Sequence, residues 1–131
     1  MYEKPERLGV NINTYFASLL DRYTTAGDIT AIIGPSAISA EDLELLLDFS
    51  FYIARHRGER AAIEFCEKLH HHLLDAALEI HVGRVLMTQA RLFNQIGKPM
   101  SRDLYAMEAA EAFLFFDQIS AAEQALAMVQ A

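Results

Sequence analysis

The residues best suited to chemistry lie at positions 65–81, in the stretch FCEKLHHHLLDAALEIH. It contains the only cysteine, Cys66, three consecutive histidines at positions 70–72, and His81. Imidazole nitrogens and a thiolate are ligands that transition metals such as Zn²⁺ prefer. A thiol beside a histidine also suits nucleophilic and redox chemistry. The stretch therefore raises two hypotheses, a metal site and a reactive cysteine.

Helical spacing argues against a metal site built from the three histidines. Successive helix residues turn by roughly 100°, so positions 70–72 point in three directions. Cys66 and His70 lie one turn apart on one side, but two such ligands need two more from elsewhere. On a continuous helix His81 lies roughly 16 Å beyond His70, too far to complete the site. We predict no metal and no cofactor; a metal-binding or redox protein that uses Cys66 and His70 is the alternative hypothesis.

Other catalytic motifs are missing from the sequence. It has no glycine-rich phosphate loop, no Gly-x-Ser-x-Gly and no His-Glu-x-x-His. The acidic residues Glu41, Asp42 and Glu44 lie where a helix is expected to begin, and carboxylates there stabilise the helix dipole. The sequence therefore predicts that the protein is not an enzyme.

The distribution of charge argues against binding to nucleic acid. The 131 residues carry a formal net charge of −7, whereas phosphate contacts require clustered Lys and Arg. No basic residue follows Arg102, and five acidic residues do: Asp103, Glu108, Glu111, Asp117 and Glu123. This end of the chain is expected to repel DNA and anionic membranes and to attract a basic partner.

The composition predicts a folded protein of the cytoplasm. Hydrophobic residues make up 53% of the chain, yet no apolar run approaches the ~20 residues needed to cross a bilayer. A single cysteine forms no internal disulfide, and the start MYEKPERLGV lacks the apolar stretch of a secretory signal. We therefore expect a reducing, cytoplasmic setting and no membrane insertion.

The elements that must position these residues are predicted to be helices throughout. Apolar residues recur at spacings of three and four, with no convincing alternation, so the fold class is all-α with five to seven helices in antiparallel hairpins. Asn13, Ser39 with Asp42, Ser101 and Ser120 are expected at helix starts. The expected helices lie at about 13–25, 30–33, 40–57, from 59 onward, 102–116 and 121–130.

The helix that starts at Glu59 allows two interpretations. It continues unbroken to Ile96, or it breaks near His72 or Gly83. Its inward stripe is expected to hold Ala62, Phe65, Cys66, Leu69, Leu73, Ala76 and Ile80. At the level of the whole chain, residues 1–38 are predicted to form an N-terminal arm and residues 39–131 a helical-hairpin domain, together one compact unit.

The hairpin around Gly58 resembles a known repeat. Residues 45–69, LLLDFSFYIARHRGERAAIEFCEKL, resemble one tetratricopeptide repeat, in which a helix, a glycine turn and an Ala-Ile-Glu-Tyr-x-Glu-Lys helix follow each other. The turn is about one residue short, and Leu74 stands where the repeat has a proline. Weaker similarity appears at 90–98 and 115–126. An irregular helical bundle is the alternative fold.

The resemblance implies a protein that binds another protein. Stacked helical hairpins leave a concave face that grips a peptide or a helix. A small acidic chain of this kind is similar to the chaperones of bacterial type III secretion, and a structural subunit of a larger assembly is a further alternative. The expected groove residues are the surplus aromatic and apolar side chains Phe49, Tyr52, Leu92, Phe93, Tyr105 and Phe113.

Two segments add to the expectation of a partner. FLFF at 113–116 spreads apolar side chains around most of a helix, so that helix is either central or partly exposed for a partner. The N-terminal helix, with Tyr15, Phe16 and Leu19 on one stripe, packs on its own domain or on a second copy. The second arrangement would make a homodimer.

Overall fold

The computed structural model describes residues 11–33 and 38–129, and within these ranges every regular element is a helix. The all-α prediction is confirmed. The order is α1 Ile12–Ala26, α2 Thr30–Ile33, α3 Ala40–Arg57, α4 Glu59–Asp75, a 3-10 turn Glu79–His81, α5 Val82–Gln95, α6 Pro99–Phe115 and α7 Ile119–Met128.

An asparagine caps the start of α1, but it is Asn11 and not the predicted Asn13. The Asn11 side chain accepts a hydrogen bond from the Thr14 amide at 2.9 Å, whereas Asn13 lies inside the first turn. One of the first free amides of the helix, that of Thr14, is therefore satisfied by a side chain outside it. Gly27 ends the helix at φ 69°, close to the predicted end at about residue 25.

Helix α1 packs on its own chain. The Phe16 ring lies 5.5 Å from the rings of both Phe49 and Tyr52, and the Tyr23 ring lies 5.2 Å from that of Phe65. The arm thus joins the core formed by α3 and α4. Residues 34–37, next to the predicted domain boundary, lie outside the described residues.

Helices α3 and α4 form the predicted hairpin. The Ser39 hydroxyl accepts from the Asp42 amide at 3.1 Å, and the Asp42 carboxylate accepts from the Ser39 amide at 3.3 Å, which caps α3 reciprocally. Gly58, at φ 95°, ends α3, and α4 starts at the next residue. The two helices pack side by side.

The chain breaks after α4, between the two places considered from the sequence. Asp75 ends the helix, and Ala77 takes the left-handed conformation at φ 58°. Two residues predicted on the inward stripe, Ala76 and Ile80, are consequently exposed. The earlier members of the stripe, from Ala62 to Leu73, are buried.

Three helices, α4, α5 and α6, end in turns of the same type. The amides of Leu78, Lys98 and Gln118 donate to the carbonyls of Leu73, Phe93 and Phe113, at 2.8, 3.0 and 2.8 Å. Each bond spans five residues and encloses one residue with positive φ, at positions 77, 97 and 117. This is the Schellman arrangement, and here it recurs every twenty residues.

The starts of α6 and α7 differ from the predictions at Ser101 and Ser120. Both serines lie inside helices, because α6 starts at Pro99 and α7 at Ile119. Proline suits a first helical position, since it has no amide to satisfy and its φ is already helical. The preceding turn then sets where each helix begins.

Packing runs between consecutive helices, from α3 to α7. The core contains fully buried side chains from α1 to α5, among them Leu19, Leu43, Phe49, Phe65, Leu69 and Leu92. Among the described residues, no helix is both long and apolar enough to span a bilayer.

Candidate functional site

A groove of about 800 Å³ lies between the alternate helices α3, α5 and α7. Helices α3 and α5 are the first helices of two successive hairpins and α7 follows the second hairpin; these three helices pack less closely on one another than on their neighbours in sequence. The space between them is therefore open. Its lining residues are Glu44, Leu47, Asp48 and Phe51 of α3, Arg84, Met87, Thr88 and Arg91 of α5, Phe113 of α6, and Asp117–Ala121 with Gln124 at the start of α7.

The middle of the groove is apolar. Leu47, Met87 and Phe113 are buried and present part of their surface to the cavity, while Phe51 is partly exposed beside them. An apolar floor with a polar margin is typical of sites that bind a peptide or a helix of another protein.

Charged side chains of both signs stand at the margins. Glu44 and Asp48 come from α3, and Arg84 and Arg91 come from α5. Partial burial raises the pKa of Asp48, the neighbouring Glu44 carboxylate raises that pKa further, and Arg84 lowers it. A bound segment with charges of both signs would find a complement on each wall.

A glycine fixes how closely the groove floor approaches α5. A Cβ atom at Gly83 would lie 2.7 Å from the Cδ1 and Cε1 atoms of the Phe113 ring. The ring therefore rests directly on the backbone of α5. This contact joins the end of α6 to α5 at one of the residues that line the groove.

The predicted groove residues divide into three groups. Phe113 lines the groove. Phe49, Tyr52 and Leu92 are buried in the core, because α1 covers the first two and Leu92 faces inward from α5. The structure therefore corrects their predicted placement on a free surface.

The remaining two predicted residues, Phe93 and Tyr105, pair with each other at a ring distance of 5.0 Å. Both are partly exposed and neither lines the groove. Their partner-binding role stays a prediction, at a place separate from the groove.

Sequence reasoning missed most of the groove. Phe51 was available as an apolar residue on the edge of a core-facing stripe, which is one signal of a partly exposed position. The charged residues at the margins gave no such signal, because an ordinary solvent-exposed helix face contains the same types of residue.

Cys66 lies in the core, and among the described residues it belongs to no cluster that could hold a metal ion. Its side chain is fully buried, and burial raises the pKa of the thiol to about 12, although a hydrogen bond with Ser50 acts in the opposite direction. A thiol with so high a pKa stays protonated at neutral pH and is neither a good nucleophile nor a ready metal ligand.

His70 is partly buried on α4. Burial lowers its pKa, His71 lowers it further, and Glu108 and Glu67 act in the opposite direction. Across the described ranges, no cluster of three or more His, Cys, Asp or Glu side chains is arranged to hold a metal ion.

Comparison with known proteins gives no relative from which a function can be transferred. No family model matches the chain, and neither a curated protein nor a solved structure matches it.

Proposed function

We propose that this protein is a protein-interaction module that binds a segment of another protein in the groove between α3, α5 and α7. The observation that carries the proposal is the groove itself, with an apolar floor and charged margins of both signs. A concave groove suits an extended peptide or one helix better than a flat protein surface. The proposed role is binding, not catalysis.

Within this role, a small cytoplasmic chaperone or adaptor is the favoured type. The support is the resemblance of residues 45–69 to a tetratricopeptide repeat, the succession of antiparallel hairpins, and the acidic composition. On the same grounds we propose the type III secretion chaperones as the class. A permanent subunit of a larger assembly would use the same groove, and a homodimer would be an additional feature.

A pair of glutamine variants tests the groove. Gln124→Trp places a large ring in the groove, whereas Gln95→Trp places the same ring on an exposed position outside it. Purification from the native host should recover one stoichiometric partner with the unaltered chain and with Gln95→Trp, and lose it with Gln124→Trp. Recovery with both variants, or a monomer with no partner in every case, contradicts the proposal.

Elemental analysis addresses the alternative metal function. Protein purified without a tag is expected to contain far less than one equivalent of Zn, Fe, Cu or Ni. A stoichiometric metal that is lost in a His70→Ala variant would replace the interaction proposal with the metal-binding one.

A further inference from the structure

The outer face of α6 exposes an apolar stripe that no described element covers. Met100, Leu104, Met107 and Leu114, with Phe115 beside the last, form this outer stripe, and the exposed fractions reach 86% for Met100 and 81% for Phe115. Positions 100, 104, 107, 111 and 114 follow alternating steps of four and three, which places them along one side of a helix.

The stripe lies opposite the side by which α6 packs on the domain. That packed side is formed by Ala106, Ala109, Ala110 and Phe113, all buried. Because alanine side chains are small, they let α6 approach its neighbouring helices closely, and they leave little apolar surface to bury. The apolar residues of the outer stripe are therefore in excess of what the core of this chain uses.

Acidic side chains surround the outer stripe. Glu111 occupies the position between Met107 and Leu114, and it forms no ion pair within the described part of the chain. Glu108 and Asp103 lie on the two flanks. Asp103 is engaged by Arg102 at 2.9 Å, so the uncompensated charge is that of the two glutamates.

Among the described residues, no Lys or Arg forms an ion pair with Glu108 or Glu111. His70 lies near Glu108, but burial lowers the pKa of its imidazole, which therefore adds little positive charge at neutral pH. Beyond Arg102 the sequence contains no Lys or Arg. The surface thus combines an apolar line with the negative charges of Glu108 and Glu111.

We infer that the outer stripe is a second docking surface, and that its partner is a basic amphipathic helix of another protein. Such a helix presents apolar residues at the matching spacing of three and four, with Lys or Arg beside them to meet Glu108 and Glu111. This surface is separate from the groove, because none of its five apolar residues lines the groove.

A second copy of this chain fits the surface less well. An antiparallel pair of α6 helices centred on Glu111 would place the Glu111 side chains of the two copies against each other. A parallel pair would bring the two Glu111 side chains together. In both arrangements like charges meet, and like charges across an interface are unfavourable.

The test uses a synthetic Leu/Lys peptide that forms a basic amphipathic helix, and a scrambled peptide of the same composition. Fluorescence anisotropy should show binding of the first peptide to the full chain, and weaker binding, by roughly tenfold or more, of the second. NMR shift changes of the chain should concentrate on α6.

Matched variants separate the stripe from general charge attraction. Glu111→Lys should weaken binding of the helical peptide by roughly tenfold, whereas Glu123→Lys on α7, with the same net charge, should not. Leu104→Ser should weaken it similarly, and Leu74→Ser, an exposed leucine of α4, should leave it unchanged.

Several outcomes would overturn the inference. Equal binding of the scrambled peptide, or equal effects of Glu111→Lys and Glu123→Lys, would show charge attraction alone. Shift changes confined to the groove would assign the peptide to that site. Sedimentation that shows a dimer abolished by Leu104→Ser would make a second copy the occupant. The Gln124→Trp test of the groove uses the native partner and is read independently of these results.

Discussion

At the scale of single residues, the buried thiol of Cys66 makes a direct prediction. Iodoacetamide at about pH 8 should label the folded chain at least ~100-fold more slowly than the unfolded chain, because the thiol is buried and its pKa is raised to about 12. A Ser18→Cys variant provides the control, since Ser18 is exposed on α1 and its cysteine should react fast. Fast labelling of native Cys66 would restore the redox hypothesis.

A second prediction at this scale concerns Gly83. Replacing a helical glycine by alanine ordinarily stabilises a protein by about 1 kcal/mol. In Gly83→Ala the added methyl group would meet the Phe113 ring at 2.7 Å, and such overpacking costs about 1–3 kcal/mol. We expect a net loss in the free energy of unfolding, measured in urea.

The same position offers its own control. Phe113→Leu removes the ring atoms that a Gly83→Ala methyl group would meet, so Gly83→Ala should be less harmful in that background. A net gain in stability for the single variant would show that the ring moves aside without cost.

At this scale the sequence predicted some features and missed others. The interpretation of Cys66 as a small core residue agrees with its burial, because its place on the apolar stripe of α4 was visible in the spacing. The burial of Phe49 and Tyr52 was not visible, since it depends on the rings of α1 that pack across the chain.

At the scale of helices and turns, the recurrent turn predicts opposite effects for two substitutions. Ala77 and Gly97 occupy the same left-handed position in successive turns, at φ 58° and 70°. A side chain there costs about 1 kcal/mol relative to glycine. Ala77→Gly should therefore stabilise the protein and Gly97→Ala should destabilise it, as measured by urea unfolding.

The surroundings of Gly97 exclude crowding as the cause, because a Cβ atom there would have no neighbour within 4 Å. Ala17→Gly, at an exposed position inside α1, is the matched control and should destabilise by about 1 kcal/mol. If Ala77→Gly also destabilised the protein, Ala77 would not adopt the left-handed conformation in solution.

The presence of the helices was predictable at this scale. The residue at which a helix starts was predictable only where a side-chain cap marks it. Ser39 with Asp42 predicted the start of α3 because a side-chain cap acts locally. Ser101 and Ser120 misled, because the preceding Schellman turn fixes the chain direction and a later serine then falls inside the helix. The break after Asp75 lacks glycine and proline, so the sequence alone did not locate it.

At the scale of the whole molecule, two histidines predict how stability varies with pH. Burial lowers the pKa of both His70 and His81 below the ordinary value of 6.5, with His71 and Arg84 respectively lowering it further. The unfolded chain therefore binds protons at these sites more readily than the folded chain. The free energy of unfolding should therefore fall as the pH is lowered from about 7.5 to about 5.5.

The check is a series of urea unfolding curves across this range, together with a His70→Gln/His81→Gln variant. That variant should show a flatter dependence on pH. Asp48, whose pKa is raised from an ordinary value of 3.8, acts in the opposite direction and at lower pH. An equally steep dependence in the variant would assign the effect to other groups.

The whole-molecule prediction was most successful for the fold class and least for the groove. Periodicity in single helices is enough to predict an all-α chain, since the spacing of apolar residues within each helix shows which side is buried. The groove depends on α3, α5 and α7 together, and positions such as Leu47 and Gln124 become neighbours only after the intervening helices have folded.

The sequential packing of α3 to α7 also bears on how this chain acquires its shape. Each of these helices finds its main partner a short connection away, so little chain entropy is lost in bringing them together. During synthesis, a newly made helix would meet its predecessor already in place. We expect refolding within milliseconds, and a native fold that grows from one end as the ribosome releases it.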